Sequence, residues 1–543
     1  MELREKTIED ETCTASFITA KNNQKQMKTY YINILLIILA VNSWGCKKDL
    51  LNVKDPNNVN EENFYKTAND AVLGTNSVYG TMYRKDNFGW VYIWESVLTD
   101  DERWDSEGSP ALYGGVASGI ETALGSNSYV RRVWNASYAT IARANVAIAK
   151  IPAIEMDETL KNRLLAECRF FRAFMYQRLL MRYGDVPLML KLPSEDVLLP
   201  SRSNKAEVLK VVFDDLNFAA QYLPKEYTGV DIGRVKKGAA LVLKARVEMS
   251  NQMWTAAAAS ARACLDLNYG LNNSYSDLFN KPGTENLGES LFEIQWGNSA
   301  GDFGSQINTR YTDNGEATTA PGGWNWGQVL QNLVNEYDNA DGTPFVLGAR
   351  DVRTDLTQYQ NRDPRLAATI NYEGSDYFGI PWKRTWTATM YGWKKYTISS
   401  AVLNTLPKGT IPYNWIVLRN AEAYLSYAEA QNEAVGPDPS VYAAIKEIRR
   451  RAGISNPDLP AGLTKEEMRN KIRHERRVEL AGESVRFEDL LRWKTLKSAL
   501  ENKHLGNPGV NWIISNWGEF RYLWPIPQQE RDLNKNLTQN AGY

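Results

Sequence analysis

Apolar residues recur at three- and four-residue spacing along two long stretches of this chain, a period that amphipathic helices satisfy and strands do not. From Trp134 onward, Tyr138, Ile141, Ala142, Asn145, Ile148 and Ala149 fall on one face. Leu164, Cys168, Phe171, Met175 and Leu179 then line up, and Tyr183-Gly184-Asp185-Val186-Pro187 supplies the glycine and proline of a helix stop. Segments near 203–222, 235–250 and 254–268 repeat the pattern, with Ala240, Leu243 and Val247 in register. It returns at 416–435, through Leu418, Ala421, Leu425 and Ala428, and again at 439–451, 465–482 and 485–500. Successive helices of about 15–20 residues, alanine facing larger side chains, predict antiparallel hairpins stacked as in tetratricopeptide arrays. The strict consensus of about 34 residues is absent, so the repeat is one of geometry.

Between the two helical stretches, residues 272–412 are rich in glycine, asparagine and aromatics, and helical period survives only around Leu330, Leu333, Val334 and Tyr337. The tail from Leu505 to Tyr543 is again irregular. The expected fold is all-α: tetratricopeptide-like helical hairpins form a scaffold with large loop-rich insertions. Within a body spanning 61–543, this divides the chain into a helical part at 61–271, a loop-rich ligand region at 272–412 and a second helical part at 413–543. Long loops on a rigid scaffold are where binding usually lives.

The front of the chain carries a different signal. Lys28 precedes the apolar run from Ile32 to Ala40, which closes at Ser43-Trp44-Gly45-Cys46 ahead of Lys47 and Lys48. A positive flank, a short apolar core and small residues form a secretory signal, and the run is shorter than the ~20 residues a membrane span needs. Cys46 after a small residue resembles a lipobox, in which it is lipidated and becomes the new N-terminus. Residues 1–26 then read as an over-called start, 27–45 as the signal peptide, and 46–60 as lipidated terminus and polar tether. An ordinary secretory signal and an uncleaved anchor are the alternatives.

With 63 basic against 64 acidic residues, the chain has no electrostatic footprint for nucleic acid. Only His474 and His504 are present, which excludes a multi-histidine metal centre and weakens every triad. CxxC, HExxH, Walker-type and GxSxG patterns are absent. Cys168 and Cys264 sit in helical patterns and read as buried thiols. What the chain has in quantity is aromatic side chain, with 17 Trp, 28 Tyr and 15 Phe, many of them in polar stretches.

Several strings, taken in order, carry a resemblance. They include Arg143-Ala144-Asn145, the run Ala166 to Phe174 with Arg169 and Arg172, Tyr183 to Leu188, Gly238-Ala239-Ala240, Lys244 to Val247 and Asn361-Arg362-Asp363-Pro364-Arg365-Leu366. The most specific block runs from Glu475-Arg476-Arg477-Val478-Glu479-Leu480 to Arg486-Phe487-Glu488-Asp489-Leu490-Leu491-Arg492-Trp493. Trp524-Pro525-Ile526-Pro527 and the Asn534 to Tyr543 ending close the chain. Together they resemble the SusD/RagB family of outer-membrane nutrient-binding lipoproteins, from Cys46 to the end. Ser484 stands where the family usually has glycine, at a helix junction. The resemblance implies a helical lipoprotein, lipid-anchored and surface-exposed on the outer membrane. It would be non-catalytic, use no cofactor, cap a SusC-like TonB-dependent transporter and capture glycans for import.

Aromatics in the irregular segments are then the candidate ligand residues. Trp90, Trp94 and Trp104 flank the acid run Asp100-Asp101-Glu102, with Asp105 and Tyr113 after it; Trp296, Tyr311, Trp324 and Trp326 follow, then Trp382, Trp386 and Trp393. Rigid rings lose little entropy on binding and can cover the C–H faces of sugars. Trp324 and Trp326 flank Asn325 on a glycine-flexed loop, and in an extended loop would share one side. The expected ligand set is Trp94, Trp104, Asp100, Asp101, Trp296, Trp324, Asn325 and Trp326; packing of loops onto the scaffold is the competing account for each ring. For the acid run, calcium, sugar hydroxyls and a solvated loop all stay open. The charged block Glu475, Arg476, Glu479, Arg486, Asp489 and Arg492 reads as an inter-helix ion network, as do Arg169 and Arg172. Two other functions compete: a glycoside hydrolase, which needs a carboxylate pair about 5–9.5 Å apart, and a transporter lid that handles peptides or has no ligand affinity.

Overall fold

The computed structural model describes residues 64–89, 93–104, 126–191, 198–281, 283–296, 327–397, 413–500 and 518–543. The lipidation candidate Cys46 and its tether lie outside the described residues, and among those residues no helix is long and apolar enough to cross a membrane. The longer helices are α1 (Ala68–Tyr79), α2 (Ser128–Lys150), α3 (Glu158–Tyr183), α4 (Lys205–Tyr222), α5 (Lys237–Ser250) and α6 (Trp254–Leu265). In the C-terminal part come α7 (Asn420–Ala434), α8 (Pro439–Ala452), α9 (Lys465–Glu479) and α10 (Arg486–Arg492). The all-α class is therefore as expected, with four two-stranded sheets among the described residues.

Local chemistry sets the helix ends. Asp157 caps α3 by accepting from the Leu160 N–H at 2.8 Å, and Gly184 ends it at a φ of 71°, where a side chain would be strained. Thr464 and Glu467 form a capping box at the start of α9. Short connections make consecutive helices neighbours, so α2 packs on α3, α5 on α6 and α7 on α8. Helix α7 also packs on α5, α6 and α9, which places it at the middle of the stack. Cys168 and Cys264 are buried and unpaired, and burial pushes both thiols up to about 12.

Two expectations about elements change. Residues 415–419, expected from 416 to open a helix, form a strand antiparallel to Ser290–Ile294, buried at all five positions. Trp-Ile-Val-Leu-Arg is a short apolar run with β-branched residues, and period alone does not separate such a run from a helix turn. The expected helix at 485–500 is two, α10 and Leu496–Leu500, broken where Lys494 takes a φ of 58°. Nor is the middle region a loosely hung insertion. Trp382, Trp393 and Trp415 are among the largest fully buried side chains.

The charged block is the expected ion network, and it is buried. Arg419 on the strand 415–419 reaches Glu289 (2.8 Å), Glu479 (2.7 Å) and Glu483 (2.7 Å). Arg451 of α8 bonds Glu289 at 2.6 Å and also Glu479. Arg365 joins Glu475 (2.6 Å) and Glu479 (2.9 Å). A second knot holds Arg476 to Asp489 (3.0 Å) and Arg492 to Glu429 (2.5 Å). Arg172 bonds Asp215 at 2.7 Å and Asn145 at 2.9 Å, while Arg169 lies over the Phe218 ring.

Arg419→Met leaves three buried carboxylates short of a partner, so unfolding free energy in urea should fall by about 3–5 kcal/mol; a loss below about 1 kcal/mol would show the cluster to be dispensable. Burial alone would raise Glu479 and Asp489, but the guanidinium groups outweigh it, holding Glu479 well below the carboxylate range and Asp489 at about 2. Folded values below unfolded ones of about 4 mean stability that is present above pH 4 and lost as pH falls toward 2. The melting temperature should drop steeply as pH falls below 4, and Asp489→Asn should flatten that acid limb.

Candidate functional site

Residues 93–104 are fastened to the scaffold by charge. A 3₁₀ turn, Ile93–Leu98, carries Trp94 and places Glu95 against α3. Glu95 is fully buried, and it receives Arg178 Nη2 and Arg182 Nε, each at 3.1 Å. Arg182 also donates to Glu488 of α10 at 3.2 Å, so one guanidinium joins three elements. Beyond the turn, the strand Glu102–Trp104 (β1) pairs antiparallel with Gly327–Val329 (β2), in the register Glu102 to Val329 and Trp104 to Gly327. The Leu330 N–H extends the pairing by donating to the Asp101 carbonyl at 2.9 Å.

The acid run turns out to serve this pairing. Arg477 donates to Asp101 (2.8 Å, Nε) and to Glu336 (2.7 Å), and its Nη2 lies 3.0 Å from Asp100. Arg486 grips Asp100 with both Nε (3.1 Å) and Nη2 (3.0 Å). Burial raises Asp100, but Arg477 and Arg486 together pull it below the ordinary carboxylate value. For Asp101 burial prevails over Arg477, and Asp100 adds to the rise. Glu102 is fully buried and accepts from the Ser96 hydroxyl; burial carries it up to about 8, against the pull of Ser96 and Trp393. Asp100 and Asp101 thus share Arg477 while Glu102 faces Ser96, and among the described residues no group of His, Cys, Asp or Glu could hold a metal ion. The solvated-loop reading of Asp100, Asp101 and Glu102 is corrected accordingly: these are buried, positioned groups, while Asp105, the further acid of the calcium reading, lies outside the described residues.

Of the aromatic candidates, Trp296 is corrected most clearly. Its indole is 7% exposed and meets Tyr83 edge-on at 5.5 Å, so it packs the middle region onto the N-terminal helices. Trp382 and Trp393 are likewise core residues, and Trp386 meets Trp382 edge-on at 5.9 Å. Trp94 and Trp104 are placed by backbone, the first on the 3₁₀ turn and the second at the end of β1. Trp90, Asp105, Tyr113, Tyr311, Trp324, Asn325 and Trp326 lie outside the described residues. The ladder still bears on them, since Trp326 is bonded to Gly327, the partner of Trp104.

Arg477 was missed as a positioning residue. The signal was there, because adjacent Arg476 and Arg477 cannot share one face of α9; Arg476 faces Asp489 while Arg477 faces the acid run.

The family model described as "SusD family" matches residues 288–543, and one described as "Starch-binding associating with outer membrane" matches residues 48–249. A SusD-like protein of Formosa agariphila is 24% identical, over 94% of this chain and 99% of its own. The starch-binding protein SusD of Bacteroides thetaiotaomicron is 25% identical, over 74% of this chain and 76% of its own. Among solved structures, a SusD-like protein of Bacteroides fragilis superposes with a TM-score of 0.78 at 26% identity, covering 88% of this chain and 98% of that one. A laminarin-binding SusD-like protein gives 0.70 at 26% identity, over 88% and 100%. Helical scaffold, ordered motifs and family matches over residues 48–249 and 288–543 agree: the chain belongs to the SusD family.

Proposed function

We propose that this protein is a surface glycan-binding lipoprotein, anchored to the outer membrane through Cys46, that captures oligo- or polysaccharide and caps a SusC-like TonB-dependent transporter. The observation that carries the reading is the β1–β2 register, which pairs Trp104 with Gly327, the residue that follows Trp326 in the sequence. Indoles at such an edge would cover sugar faces, and Asn325 would supply an amide for rim hydroxyls. Relatives named for binding starch and laminarin support this ligand class, and the description of the N-terminal match supports the location. Individually weak capture becomes effective when many copies on a surface raise the local ligand supply. The hydrolase alternative finds little support at this edge, where Asp100 and Asp101 are held by arginines and Glu102 is closed from solvent.

Affinity electrophoresis against starch, laminarin and further polysaccharides should show retardation without release of reducing ends. Trp104→Ala and Trp326→Ala should each weaken binding about thirtyfold, the scale of an aromatic anchor, with the melting temperature kept. Trp296→Ala should instead cost about 3–5 kcal/mol of stability. Unchanged binding in a Trp94, Trp104, Trp324 and Trp326 quadruple variant that stays folded would refute the site. For the anchor, labelled palmitate should attach to the wild type and not to Cys46→Ala, which should leave the envelope fraction.

A further inference from the structure

On the Asp100 side of the strand pair, the surface opens into a cleft of about 720 Å³, the size of a small-ligand site. Its walls come from the short helix Gln331–Glu336, from residues 347–352 and from the corner beyond α10. Asp100, Glu336, Arg477 and Arg486 line it, but they are consumed by one another and form its rigid frame.

What remains is unspent hydrogen-bonding capacity. The Asn332 side chain makes no hydrogen bond among the described residues. Asn335 accepts from Gln331 at 2.9 Å through Oδ1, which leaves its amide N–H groups for the cleft. The Thr495 hydroxyl is buried with no partner among the described residues. Arg350 spends Nη1 on the carbonyls of Val346 (2.8 Å) and Leu347 (3.0 Å) and sets Nε 3.8 Å from Asp355, which leaves Nη2 for the cleft, and its side chain is 41% exposed. The amides, part-exposed on a fixed frame, are met by water until a ligand hydroxyl replaces it. Among the described residues no aromatic ring lines the cleft, and the amides and guanidinium present there suit hydroxyl groups. From Asp100 to Trp104 is four residues, at most about 13 Å, a distance a short oligosaccharide covers.

We propose that this cleft is a second subsite, in which Asn332, Asn335 and Arg350 hydrogen-bond the hydroxyls of sugar units running on from the aromatic edge. The inference rests on the glycan reading of that edge and adds chain-length selectivity to it: the edge would capture any short piece, and the cleft would reward longer ones.

The test uses the full mature protein and the polysaccharide, from a panel of starch, laminarin and xylan, that retards it most, with the corresponding oligosaccharide series followed by calorimetry. An Asn332→Ala, Arg350→Ala double variant should lose about tenfold in affinity for long oligosaccharides, keep its melting temperature, and bind the shortest bound oligosaccharide as the wild type does. Trp104→Ala should weaken every length. Equal loss at all lengths would assign the two residues a structural role and overturn the subsite. Wild-type behaviour of the double variant at all lengths, alongside weakened Trp104→Ala, would overturn the subsite and leave the glycan reading standing. No retardation by any polysaccharide would overturn both.

Discussion

Glu479 ends α9 where guanidinium groups from three other elements converge on it: Arg365, Arg419 and Arg451. A buried carboxylate without partners would cost several kcal/mol, so the fold tolerates Glu479 only with these elements in place. The same reasoning runs outward through the molecule. Arg246 of α5 bonds Glu422 of α7 at 2.7 Å, Arg182 of α3 bonds Glu488 of α10, and Arg182 and Arg178 close on Glu95. Apolar packing brings helices together without choosing among close registers; a fork of guanidinium N–H groups meeting a carboxylate is far less tolerant of displacement. The scaffold is thereby fixed to the 3₁₀ turn and strand that carry Trp94 and Trp104.

That division explains what could be read from the chain alone. The periodic segments and the ordered family strings describe the scaffold, and the structure puts those strings against each other: Arg172 with Asn145, Arg365 with Glu475, Asn540 with the carbonyls of Tyr183 and Trp524. They are legible because charge, period and stop signals are local properties. Burial of a ring is not. Trp296 sits in an irregular stretch, yet its ring meets Tyr83 edge-on and its backbone N–H donates to Asn414 Oδ1, contacts that only the tertiary fold creates. The Asp100–Glu102 run misleads for the same reason, since its partners Arg477 and Arg486 arrive from the far end of the chain.

The one visible departure from the family string also finds its meaning in backbone geometry. Ser484 has a φ of 62°, a left-handed conformation that glycine adopts freely and other residues at a cost of about 1 kcal/mol. Gly482, two residues earlier, has a φ of 74°, and a Cβ there would stand 2.8 Å from the Trp393 ring. The corner between α9 and α10 is thus a double left-handed turn. Lys395 donates to the Ala481 carbonyl (2.8 Å) and Glu483 (2.7 Å), and Arg419 holds Glu483 from the other side. Ion pairs on both flanks offset the strain that serine brings, so the junction keeps its shape without the glycine.

At the strand pair, neighbouring carboxyls are treated differently, and the difference maintains the site. Asp101 has Arg477 within reach; Glu102 is drawn to no cation, and burial lifts it to about 8, which keeps it protonated at neutral pH. Two ionised carboxylates side by side in a buried ladder would repel each other with little solvent screening. With Glu102 neutral that repulsion is absent, and Ser96 ties it back to the 3₁₀ turn. A ladder of three residue pairs has few hydrogen bonds of its own, so its register rests on these side chains. Because the side-chain period of a strand is two, a slip by one residue would turn Trp104 to the opposite face. Arg477, Arg486 and a protonated Glu102 therefore hold the register of the strand pair.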